Sequence, residues 1–144
     1  WISNADVVDE LIAIRAKHIL IVADSCFAGS FAAYQDSRGA SFSSESEDLE
    51  QEWIEKIRLL KTRRVLASGN LEHVTDKGRD GHSVFAYHFI KALNNADDLT
   101  TGDEIFFEIE KNIRIKVDQT PIYDHIKNVE NDYDGDFIFV KRQD

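Results

Sequence analysis

HILIVADSCFAGSF, His18 to Phe31, changes character halfway along. Ile19 to Ala23 is a continuous apolar run rich in β-branched residues, which predicts a short strand covered on both faces. The run stops at Asp24-Ser25 and hands over to Cys26, the only cysteine, and then to the small residues Ala28, Gly29 and Ser30. In open α/β sheets, functional groups gather beyond the carboxyl ends of the strands. The stretch therefore bears on two matters at once: where a core strand ends, and whether a thiol occupies the position at which such sheets carry their sites.

Working outward, the flanking segments alternate in type. Ser3-Asn4-Ala5-Asp6 reads as a helix start, and Val7, Val8, Leu11 and Ile12 recur on one face, which predicts a helix over residues 4 to 15. Gln35 to Asp48, QDSRGASFSSESED, has no periodicity and predicts a mobile loop. Leu49, Trp53, Ile57 and Leu60 share a helical face, and Val65-Leu66-Ala67 reads as a second strand that breaks at Ser68-Gly69. A polar loop then leads to Ser83 and a helix with Phe85, Phe89, Ala92 and Leu93 inward. Thr101 to Glu104 is a capping box ahead of Ile105, Phe106, Ile109 and Ile113, and Phe137 to Val140 is a last strand. This order is the grammar of an α/β sheet with parallel core strands.

The 144 residues amount to one domain's worth, with 42% hydrophobic residues and a net charge of -10. That charge disfavours a nucleic-acid partner, because lysines and arginines would have to neutralise phosphates against a repulsive field. A cationic peptide would be attracted by the same field. No apolar run reaches the roughly 20 residues of a membrane helix, so no membrane partner is expected. Trp1 is not a native start, which leaves the compartment unread, with the cytoplasm as the default. A single cysteine forms no internal disulfide and no all-cysteine zinc site. Cys26 is thus a buried filler, a stray thiol or a nucleophile.

Small followers leave room for a substrate backbone, and a helix beginning after Cys26 would favour the thiolate. Asp24 acts in the opposite sense, since a nearby carboxylate disfavours a charged sulfur. An acid at that place is better explained as a receptor for a positive group on a substrate.

DSCFAG, Asp24 to Gly29, resembles the Asp-Ser/Ala-Cys-x-Ser/Ala-Gly motif of metacaspases and bacterial caspase-like peptidases. RVLASGNLEHVTDKGRDGHSVFAYHFIKAL, Arg64 to Leu93, is similar to the second core strand, specificity loop and Phe-rich helix of the bacterial members. QTPIY, Gln119 to Tyr123, and DGDFIFV, Asp134 to Val140, are similar to that family's Gln-x-Pro turn and final strand. The likeness runs in collinear order over essentially the whole chain.

What the resemblance implies is a cysteine endopeptidase with a caspase–haemoglobinase-like three-layer α/β sandwich, of which residues 1 to 144 would be the carboxyl-terminal part, with mostly parallel core strands. Cys26 would be the nucleophile and its backbone amide an oxyanion donor. Asp24 matches the acid that selects Arg or Lys before the scissile bond. Ser68 is positioned to line the same pocket, with Glu72 and Asp76 as further candidates. The implied partners are a peptide or protein with a basic residue at the cut and the amino-terminal part of the same domain. No cofactor is implied; some members are calcium-activated, and calcium activation is compatible with this sequence but its ligands are not readable from it. Self-cleavage after Arg38 in the serine-rich loop is expected, in preference to Arg63 or Arg64, which lead into a strand.

One departure stands out. The family's histidine lies in a His-Gly motif roughly 50 residues before the cysteine, whereas Cys26 has 25 residues before it. His18 opens the strand at its wrong end, His82 matches a helix-start position, His73 and His125 read as loop residues, and His88 lies on an inward helix face. Two other classes remain: a non-catalytic caspase-like scaffold, and a flavodoxin- or receiver-like module in which Asp24 would accept phosphate or bind a metal.

Overall fold

The computed structural model describes residues 3–25, 28–33, 47–69, 81–114, 120–130 and 135–142. Helix α1, Asn4–Ala13, opens on a reciprocal capping box: Ser3 Oγ accepts from the Asp6 amide at 3.1 Å, and the Ser3 amide donates to Asp6 Oδ2 at 2.9 Å. It ends two residues earlier than its periodicity predicts, because Ile14 turns to extended backbone. The carbonyls of Ile14, Ala16 and Lys17 are instead taken by the guanidinium of Arg63.

Strand β1, His18–Ala23, pairs in parallel with β2, Thr62–Ala67, and β2 pairs antiparallel with β4, Ile122–His125, in the order β1-β2-β4. The expectation of mostly parallel core strands is thus corrected to a mixed sheet, with one parallel and one antiparallel pairing. His125, expected in a loop, is a buried residue of β4. Helix α2, Glu47–Leu59, joins β1 to β2 and begins within the stretch expected as loop; residues 35–46 of that stretch, Arg38 included, lie outside the described residues.

The two faces of β2 carry separate cores. On one, Val65 and Ala67 pack with Val8 and Leu11 of α1, Phe31 of the 3-10 turn Ala28–Phe31, Ile126 and Val129. On the other, Leu66 packs with Val84 and Phe85 of α3, Val84–Asn95, and with Ile105, Ile109 and Ile113 of α4, Gly102–Arg114. Helices therefore cover both faces. Strand β1 is at the sheet edge among the described residues and is only half-buried, with Val22 at 41% exposure, so it is less covered than its apolar run predicts. The last strand, β5, Ile138–Val140, does not join this sheet. It pairs antiparallel with β3, Leu99–Thr101, as a separate ribbon.

Two arginines begin the central strand, and each is buried for a different reason. Arg63 Nη2 reaches the Ala16 carbonyl at 2.6 Å, and Nη1 reaches Lys17 at 2.8 Å and Thr62 at 2.9 Å. The planar fork closes the turn from α1 to β1 by bridging several of its peptide carbonyls at once. Arg63→Ala is expected to lower stability by about 3 kcal/mol or more, from unsatisfied acceptors plus a cavity. Arg63→Lys should recover only part, since one ammonium cannot span the same carbonyls. Urea denaturation measures both; a loss under about 1 kcal/mol for the alanine variant would mean that water replaces the guanidinium there.

Arg64 points to the other face. It donates to the Gly135 carbonyl at 2.8 Å, lies 5.1 Å from the Tyr123 ring centroid and 3.9 Å from Asp136 Oδ1. Asp136 is itself buried and accepts from the Tyr123 hydroxyl, from the Phe137 amide at 2.7 Å and from the Asp103 amide at 3.0 Å. This node ties the start of α4 to β2, β4 and the entry to β5.

Beside it, desolvation first, then repulsion from Asp136 and Glu104 against the attraction of Arg64, pushes the Asp103 carboxyl up from 3.8 to about 6. Between those values the folded chain holds the proton more tightly than the unfolded chain, so through this group stability falls as pH rises from about 4 to about 6, and the penalty is complete above that. Asp103→Asn should flatten this fall and favour the variant near pH 7. The gain stays well below the full equivalent of the shift, because Asp103 is exposed overall and water screens its charge. Denaturation midpoints at about pH 4 and pH 7 decide it; an unchanged slope in the variant would assign the effect to another group.

Candidate functional site

The site is assembled where β1 and β2 end. The Ser68 amide donates to the Ala23 carbonyl at 3.0 Å, which carries the parallel ladder one step past both strands and sets Asp24 and Ser68 at neighbouring strand ends. Side chains alternate along β2, so Ser68 shares the face of Leu66, the face that α3 covers.

Helix α3 meets that end with its amino terminus. Gly81, at φ +78, lies in the left-handed region that suits glycine, and the turn delivers Ser83 as the N-cap of α3. Ser83 Oγ accepts from the Ala86 amide at 2.9 Å and donates its own proton to Asp24 Oδ2. One hydroxyl therefore serves two tasks: it caps the helix and orients the carboxylate. The amino terminus of α3 is thereby tied to that carboxylate through its cap residue.

Asp24 and Ser25 are exposed, and Ser83 is half-buried. Ser68 is fully buried, and its Oγ has no hydrogen-bond partner among the described residues. A buried hydroxyl without a partner costs free energy, so one lying at a strand end next to an exposed carboxylate is suited to a water or to a polar group brought from outside. Among the described residues, a Cβ added at the neighbouring Gly69 would meet nothing within 4 Å. The described part of the site is thus a carboxylate with one oxygen held by Ser83 and a buried hydroxyl at the neighbouring strand end.

Of the residues singled out from the sequence, the structure brings Asp24 and Ser68 to one place. Cys26, Glu72, Asp76 and His73 lie outside the described residues. His18 is at the far end of β1, with Nε2 3.0 Å from the Arg58 carbonyl, and a six-residue strand separates it from Asp24 by roughly 20 Å. His88 is buried on α3 with its ring edge-on to Tyr87, and His82 is exposed at the entry to α3. Ser83 is the residue that sequence reasoning undervalued. Its place before a Phe-rich helix marks it as a cap, but only folding shows that the cap faces Asp24.

Among the described residues no group of three or more His, Cys, Asp or Glu side chains could hold a metal ion. No described helix is long and apolar enough to cross a membrane. A cleft of about 500 Å³ between α3 and α4 is lined by Lys91 and Lys111 together with Glu104 and Glu108, a mixed set that selects no charge. Comparison with protein families, curated proteins and solved structures found no match.

Proposed function

We propose that the chain belongs to a cysteine endopeptidase of the caspase-like type that cleaves after arginine or lysine. The observation that carries this reading is the Asp24 carboxylate, oriented by Ser83 at the end of the parallel strand pair and two residues before the sole thiol. A fixed carboxylate beside a spare buried hydroxyl is a receptor for a guanidinium or an ammonium. Cys26 follows it closely enough in the chain for the neighbouring scissile carbonyl to be presented to sulfur.

In this reading Cys26 gives its proton to a general base, a histidine in the family it resembles, and the thiolate adds to the scissile carbonyl. The resulting oxyanion takes the Cys26 amide as one donor. The amine leaves with the proton from the imidazolium, an acyl-enzyme remains, and water, deprotonated by the same base, releases the acid. Asp24 takes no part in the proton transfers. Its role is to hold the basic side chain so that the carbonyl reaches sulfur in the right geometry.

A peptidyl-arginine chloromethyl ketone tests the reading on the full-length gene product. It should alkylate Cys26, the matching peptidyl-aspartate reagent should not, and Cys26→Ala should abolish both labelling and turnover. A folded protein that is left unlabelled at Cys26 by the arginine reagent would be a binding scaffold instead.

A further inference from the structure

We draw no further inference here: the strongest candidate, the cleft of about 240 Å³ between α1 and the 3-10 turn lined by Val8, Ile12, Phe31 and Lys127, carries nothing because nothing in the structure shows what covers it.

Discussion

Gly102→Ala is expected to lower stability by about 3–5 kcal/mol, an unusual cost for adding one methyl group. A Cβ at Gly102 would fall onto the Tyr123 hydroxyl, 2.5 Å from the ring carbon that bears it and 3.0 Å from Asp136 Oδ1. Neither neighbour can yield cheaply. Tyr123 is held by its bond to Asp136 and by Arg64 beside its ring, and Asp136 is held by the Phe137 and Asp103 amides. The Gly102 amide is itself committed to the Phe137 carbonyl at 2.7 Å, so α4 cannot slide away without losing that bond. The expected cost combines overpacking, about 1–3 kcal/mol, with a disturbed hydrogen bond to a buried charge, about 1.5–3 kcal/mol. Tyr123→Phe removes the atom that lies nearest. It should therefore cost less in the Gly102→Ala background than in the parent chain, a coupling of at least about 1 kcal/mol in a double-mutant cycle followed by urea denaturation. Additive losses would show that the helix start relaxes around the methyl group.

The second large effect concerns selectivity and rests on the proposed peptidase activity. Asp24→Asn should lower kcat/KM for peptides with arginine before the cut by about 30-fold, which corresponds to roughly 2 kcal/mol, and leave neutral peptides nearly unaffected. That figure lies at the low end for a lost charge partner, because Asp24 is exposed and its charge is partly solvated before substrate arrives. A guanidinium pairs with a carboxylate through two parallel bonds and an ammonium through one, so arginine should be preferred over lysine and the gap should narrow in the variant. Ser83→Gly separates the two tasks of the serine. Glycine is a tolerated N-cap that costs only a few tenths of a kcal/mol, so the melting temperature should hardly move while selectivity for arginine falls. Ser83→Thr keeps the hydroxyl and should keep the selectivity. Equal cleavage of arginine peptides by the parent and Asp24→Asn would remove Asp24 from the pocket. An unchanged preference in Ser83→Gly would leave Ser83 as a helix cap and nothing more.

Local sequence settled much of this protein. The run from Ile19 to Ala23, the capping boxes at Ser3 and Thr101, and the spacing of Ile105, Ile109 and Ile113 all act within a few residues, where dihedral preference and side-chain periodicity leave little choice. The same reasoning placed Asp24 and Ser68 after strands, because each follows an apolar run that stops abruptly. What only the tertiary structure decided is what depends on partners distant in the chain. Thr62, Arg63 and Arg64 do not look like the start of a central strand, and they become one because peptide carbonyls on one face take the Arg63 Nη groups and the Gly135 carbonyl, Asp136 and Tyr123 on the other hold Arg64. Tyr123, Asp124 and His125 have no strand pattern of their own, and the antiparallel ladder with β2 supplies it. Leu99 to Thr101 is too short to read, and pairing with β5 draws the last strand out of the main sheet. The site followed the same division. Asp24 was legible as a carboxylate at a strand end, but its orientation depends on a hydroxyl 59 residues further along, and a contact over that separation leaves no trace in local periodicity.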